Sequence, residues 1–213
     1  MLSADAAATP VFLMMEEPRT PARADEGAID HALMERVGAG DHAAFRELVE
    51  RHQNAVVGTV AKMLGNSSDA EDISQQVFLR IWRHAKRYRP DAKFTTYLYT
   101  ITRNLVFNET RRRGRKKEVS ADEREENSHH LIEDSPDRQP DAEALQAELQ
   151  RAVDDAIAAL PEAQRMAVIL RRYDQLPYEE IAVVLGLSLP AVKSLLFRAR
   201  TGLREALSGY LDR

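Results

Sequence analysis

Lys193, Ser194, Phe197 and Arg198 fall at i, i+1, i+4 and i+5, a spacing that puts them on one side of a helix. An ammonium, a hydroxyl, an aromatic ring and a guanidinium together suit the major groove of DNA. Lys and Arg reach guanine O6 and N7, and an apolar ring packs on a thymine methyl. Arg200 and Arg204 lie further along and suit phosphates, which position a helix without reading sequence. An ordinary solvated basic face would use the same residues, so this stretch alone leaves both readings open.

A second group lies between Lys93 and Arg112. Thr96, Thr100, Arg103, Asn104, Phe107, Asn108 and Arg111 share the outward side of one predicted helix. Lys93, Phe94 and Thr95 stand just ahead of it, with Tyr97 inside. Aromatics and amides interleaved with arginines match single-stranded DNA, where bases stack on rings, amides bond base edges and guanidiniums hold phosphates. The competing reading makes Phe107 a core residue and the arginines a solvated, dipole-favoured helix end. A third stripe, Asp72, Gln75, Gln76 and Leu79, sets an exposed leucine among an acid and two amides. It suits a protein-docking surface, although single exposed apolar residues are common.

These residues need helices to carry them. Tyr178 to Leu185 reads as a short amphipathic helix, Gly186 as a turn that takes φ > 0, and Ser188 as the N-cap of a second helix with Pro190 in its first turn. Helix, short glycine turn, helix is the helix-turn-helix. Its second helix enters the major groove. Val192, Leu195, Leu196, Ala199 and Leu203 form that helix's inward stripe. Upstream, helical periodicity begins near Ile29, and Asp41 caps a long helix ended by Gly65-Asn66. Ser68 and Glu71 form a capping box for a helix to about His84, and a further helix is expected from about Thr95 to Arg113. Helices resume near Ala142, with Leu145, Leu149, Val153 and Ile157 on one stripe and a break at Leu160-Pro161.

The expected fold is all-α. It has two small helical domains joined by a flexible acidic linker, the C-terminal one holding the helix-turn-helix. Residues 1–27 read as a disordered tail, 28–113 as the first domain, 114–141 as the linker and 142–213 as the second domain. The net charge of −4 hides a segregation. Between Arg103 and Lys117 only Glu109 opposes a run of seven bases, whereas from Glu118 to Glu143 ten acids face only Arg124 and Arg138. A basic block can bind phosphates locally while an acidic neighbour keeps the whole chain anionic.

The absence of cysteine excludes disulfides and thiolate chemistry and fits a reducing cytoplasm. The six histidines show no metal-ligand spacing, and no nucleophile motif or glycine-rich phosphate loop stands out. Neither an enzyme nor a cofactor is expected. No apolar run reaches the roughly 20 residues of a membrane span, so no membrane insertion is expected either.

In order along the chain, three motifs resemble one family. Asp69-Ala70-Glu71-Asp72-Ile73-Ser74-Gln75-Gln76-Val77-Phe78-Leu79-Arg80-Ile81-Trp82 resembles the signature helix of bacterial sigma factors. Phe94 to Asn104 resembles their promoter-melting segment, and Leu160-Pro161-Glu162 with Tyr178 to Arg204 resembles their C-terminal helix-turn-helix. Two helical domains around an acidic linker match the extracytoplasmic-function (ECF) type. The resemblance implies that Asp72, Gln75, Gln76 and Leu79 dock on the coiled coil of the largest RNA polymerase subunit. It implies that Lys93 to Asn104 capture a flipped base of the −10 element, and that Arg103, Asn108, Arg111 and Arg112 hold the strand or adjacent duplex. Lys193, Ser194, Phe197 and Arg198 would read the −35 element. The flap of the second-largest subunit and an anti-sigma factor are further implied partners, and the linker would thread toward the RNA exit channel. Three positions depart from the family's frequent residues: Gln76 stands for an acid, Tyr97 for Trp and Leu195 for Arg. The alternative is a dimeric helix-turn-helix regulator acting without polymerase, which would need an apolar dimer seam.

Overall fold

The computed structural model describes residues 22–65, 68–119 and 140–211, and the described residues are helical with short connections. The helices are α1 (Ala22–Gly38), α2 (His42–Leu64), α3 (Ser68–His84), α4 (Phe94–Val119), α5 (Pro140–Ala159), α6 (Glu162–Arg172), α7 (Tyr178–Leu185), α8 (Leu189–Ala206) and α9 (Ser208–Leu211), with a 3-10 turn at Ala85–Arg87.

Local chemistry sets the boundaries. The Asp41 carboxylate accepts from the backbone N–H groups of Ala43 (2.8 Å) and Ala44 (3.1 Å), which starts α2. Those backbone donors, with the Arg36 guanidinium beside them, hold the carboxyl below its ordinary pKa. Gly65 ends α2 at φ 67°, in the left-handed region that glycine takes without strain. Gly186 ends α7 in the same way at φ 66°. Ser188 Oγ then accepts from Ala191 N–H at 3.4 Å to begin α8. The axes of α7 and α8 differ by 99°, the bend expected of a helix-turn-helix.

α1 to α4 pack into one unit. Met34, Leu48, Val56, Val60, Met63, Ile81 and Leu98 are among its fully buried side chains. Each contributes about 1.5–3 kcal/mol relative to exposure. α5 to α8 form the second unit around Met166, Ile169, Leu170, Ile181, Val192 and Leu196. The two units touch along α2 with α6 and along α4 with α7.

The boundaries depart from the sequence expectation in two places. α1 begins at Ala22, so the tail reading fails for residues 22–27. The segment Ala-Arg-Ala-Asp-Glu lacks an apolar period but consists largely of good helix formers. Similarly, α4 runs through Gly114 to Val119, because one glycine costs only about 1 kcal/mol in a helix whose next residues favour it. The expected tail over residues 1–21 and the heart of the expected linker, residues 120–139, lie outside the described residues, as does the side chain of Leu145. Leu149 is exposed rather than inward, while Ile157, two turns on, is buried. Among the described residues no single helix is long and apolar enough to cross a membrane.

Candidate nucleic-acid interface

α8 presents the recognition face the spacing predicts. Val192, Leu196, Ala199 and Leu203 are buried, while Lys193, Ser194, Phe197, Arg198, Arg200 and Arg204 are exposed. Phe197 is 69% exposed. A phenyl ring so placed gains little burial from the fold and is available to a partner. Arg198 Nε donates to Ser194 O at 3.4 Å and lies back along its own helix. Arg200 is tied more firmly, donating to the Tyr178 hydroxyl at 2.8 Å, so it braces α7 against α8 as well as carrying charge. Leu195 is half-buried and belongs to the packed side of the helix.

α4 divides the second group. Asn104, Asn108, Arg111 and Arg112 are exposed, and Thr95, Tyr97, Thr100, Arg103 and Phe107 are partly so. Arg103 lies 5.7 Å from the Phe107 ring centroid, a cation–π contact that fixes both side chains. Arg111 donates to Phe107 O (3.2 Å) and Asn108 Oδ1 (3.3 Å). Arg112 is clamped by Glu109 through bonds of 2.7 and 2.9 Å. Phe94 corrects the sequence reading: it is 1% exposed and packs against His52, Tyr88 and Tyr97, so it offers no face to a base. Burial pushes the Tyr97 hydroxyl above its ordinary pKa and, with nearby Asp30, pushes Tyr88 up to about 12. Both rings are therefore neutral at physiological pH.

Lys93, Thr96 and Arg103 are expected to meet DNA, but the structure gives them protein partners. Lys93 Nζ sits 2.6 Å from Glu180 Oε1, Thr96 Oγ1 donates to Glu180 Oε2 at 3.3 Å, and Arg103 Nε donates to Val184 O at 3.1 Å. Thr96 is 2% exposed as a result. Glu180 and Val184 belong to α7, the first helix of the helix-turn-helix. The two expected DNA surfaces are therefore not independent: part of one is covered by the scaffold of the other.

On α3, Asp72, Gln75, Gln76 and Leu79 all face outward, with Leu79 48% exposed. Ile73, Val77, Phe78 and Ile81 are buried on the opposite side, and Trp82, half-buried, stacks on His42 with centroids 4.7 Å apart.

Residues 48–116 match the sigma-70 region 2 family and residues 150–203 match the sigma-70 region 4 family. An RNA polymerase sigma-H factor of Pseudomonas aeruginosa is 35% identical over 188 residues, covering 85% of this chain and 95% of that protein. An ECF RNA polymerase sigma-E factor of Escherichia coli (strain K12) is 37% identical over 193 residues, covering 88% of this chain and 99% of that one. The chain belongs to the ECF sigma factors of RNA polymerase. As a sigma factor it binds core RNA polymerase and recognises promoter DNA. A dimeric regulator working without polymerase is not favoured, because the region 2 match covers the whole of α3 and most of α4.

Two solved structures share the sigma factor's fold at 24% identity. CnrH in complex with the cytosolic domain of CnrY gives a TM-score of 0.62 over 85% of this chain and 98% of that one. The sigma factor RpoE with the anti-sigma factor NepR, from Bartonella quintana, gives 0.63 over 77% and 96%.

The sequence reading missed a second set of residues, those that join the two units. Asp174 accepts from Tyr99 Oη at 2.7 Å and from Thr59 Oγ1 at 2.8 Å. Arg165 donates to Met63 O at 2.8 Å, and Lys62 lies 4.6 Å from the Tyr173 ring centroid. Their partners are between 75 and 115 residues away in sequence, a separation that no local pattern reports.

Proposed function

We propose that α8 reads the −35 element through Lys193, Ser194, Phe197 and Arg198, with Arg200 and Arg204 toward phosphates. We assign capture of the separated −10 strand to the α4 face, through Lys93, Thr95, Thr96, Tyr97, Thr100, Arg103, Asn104, Phe107, Asn108, Arg111 and Arg112. Core polymerase meets Asp72, Gln75, Gln76 and Leu79 on α3. On this reading the first domain spans 28–113, with α1 reaching ahead of it to Ala22, and the second spans 142–213. The observation that carries the reading is the exposed Phe197 among Lys193, Ser194 and Arg198, on a face that begins about one turn past the Ser188 cap of the second helix of the helix-turn-helix. The exposed Asn104 one turn beyond Thr100 supports the α4 assignment. The protein itself catalyses nothing; it directs the polymerase's chemistry, and it works in the cytoplasm. One solved structure of similar fold holds the sigma factor RpoE with the anti-sigma factor NepR, which supports an anti-sigma partner here too.

The test is run-off transcription with core enzyme, together with permanganate footprinting of the −10 region. Asn104→Ala is expected to impair melting more than duplex binding, since bidentate amide contacts to a base are worth about 1–3 kcal/mol. Unchanged melting would remove Asn104 from base capture.

A further inference from the structure

Two adjacent residues of α1 reach the α4 face by separate routes. Asp30 is 2% exposed, a carboxylate buried inside the first unit. Its Oδ1 accepts from Arg51 Nε at 3.0 Å, and His52 Nε2 lies 3.0 Å from its Oδ2, both partners being on α2. The His52 ring packs on Phe94 with centroids 5.1 Å apart, and Phe94 backs Tyr97 at 6.4 Å. His31, the next residue of α1, shares a 2.8 Å hydrogen bond through Nδ1 with the Tyr88 hydroxyl. The Tyr88 ring lies 5.2 Å from Tyr97 and 6.4 Å from Phe94. All these separations fall in the range of favourable ring pairs. α1 comes this close because Gly38 faces the 3-10 turn, where an added Cβ would stand 3.3 Å from Ala85 O. Two imidazoles held from α1 thus grip three clustered rings, and one of those rings, the partly exposed Tyr97, belongs to the α4 face.

We infer that Asp30 and His31 are positioning residues of the −10 site, holding the Tyr97 ring in the orientation that stacks on a captured base. The inference rests on the assignment of Tyr97 to base capture. A tyrosine free to turn must give up that freedom when a base stacks on it, and a ring already fixed by its neighbours does not. A buried ion pair often adds little stability over apolar residues of the same volume, but it can fix a single geometry. The Asp30 carboxylate meets a guanidinium and an imidazole at once, which sets the place of His52 beneath Phe94. Phe94, which offers no face to a base, is then the floor under a ring that does. Asp30 and His31 touch no DNA themselves and act through Tyr97. Loosening them should slow base capture and spare the other two surfaces. The −35 face belongs to the second unit, and the Asp72 stripe points away from the buried side of α3.

Holoenzyme assembled from core polymerase and the full chain tests this, on a promoter that the parent opens and that carries 2-aminopurine in the −10 non-template strand. The fluorescence rises as bases unstack, so the rate of strand separation is read apart from the affinity of the initial duplex complex. Tyr97→Ala should slow separation about tenfold, within the effect of losing one base–ring stack. Asp30→Asn, His31→Leu and Tyr88→Phe should each slow it roughly threefold or more, as a displaced ring would, with duplex affinity and retention on core polymerase unchanged. His31→Asn, which sets an amide near the place of Nδ1, should recover most of the parental rate. Tyr88→Phe keeps its ring and loses one oxygen, so the test stands even where Asp30→Asn folds poorly. Added to Tyr97→Ala, these variants should cost nothing further, the non-additivity of residues that act through one another. Parental rates in both His31→Leu and Tyr88→Phe would overturn the inference, as would a full further loss in the Tyr97→Ala background. Equal losses in duplex affinity and strand separation would also overturn it, because they would mark a general support of the fold. A failure of the underlying −10 assignment shows separately: Tyr97→Ala by itself would then separate strands at the parental rate.

Discussion

Within α8, position along the helix separates residues of similar charge. Arg198 shares its face with Lys193, Ser194 and Phe197, whereas Arg204 lies further toward the C-terminal end, in the last turn. Arg198→Ala is therefore expected to relax preference at one −35 base pair by about 1–3 kcal/mol. Arg204→Ala should instead weaken all promoters similarly and flatten the salt slope by about one unit. Transcription from a panel of −35 mutants across a salt series separates the two, and a reversal would exchange reader and anchor. Phe94 and Phe197 show how far residue type alone can mislead. Both are phenylalanines in segments the sequence marks as DNA-facing, yet one is 1% exposed and the other 69%.

At the scale of the element, the two faces of α3 have different duties. Asp72 is exposed opposite a buried apolar stripe, so Asp72→Arg should leave the helix folded and reduce retention on immobilised core polymerase. Full retention with unchanged thermal stability would move the docking surface elsewhere. The C-terminal part of α4 depends on Glu109, which bonds both Arg112 and Arg113. Arg113 also reaches Asp69 at the start of α3 and Leu64 O at the end of α2. The Arg112 bond is the largest cause of a Glu109 carboxyl pKa below its ordinary value; burial opposes it, and the Arg113 bond adds to the lowering. A folded-state pKa lowered in this way contributes stability that is present above the unfolded-state value of about 4.3 and is lost as pH falls through the folded value. Glu109→Gln should therefore be less stable than the parent at neutral pH, with the gap closing below about pH 4. Thermal melts from pH 7 downward check it; a constant gap would mean that the Glu109 charge contributes no stability.

At the scale of the whole molecule, stability depends on what crosses between the units. Arg165 bonds Met63 O of α2 and also Leu160 and Ala158 at the end of α5, and burial lowers its pKa. Arg165→Ala would strand three carbonyls and should cost about 1–3 kcal/mol. Calorimetry should also show the single unfolding transition of a clasped molecule separating into two. One cooperative transition at undiminished temperature would mean that Arg165 does not couple the units. Several features follow from the chain by itself, because they are local. The all-helical character, the Asp41 and Ser188 caps, the Gly65 and Gly186 stops and the outward faces of α3 and α8 all depend on residues within about two turns of each other, where spacing fixes direction. The burial of Phe94 and the covering of Lys93, Thr96 and Arg103 were not legible in this way. Phe94 is buried by rings on α2 and before α4, and the other three are covered by a helix more than 80 residues away. Periodicity says which way a side chain points from its own axis, and only tertiary packing decides whether water, DNA or another helix is there to meet it.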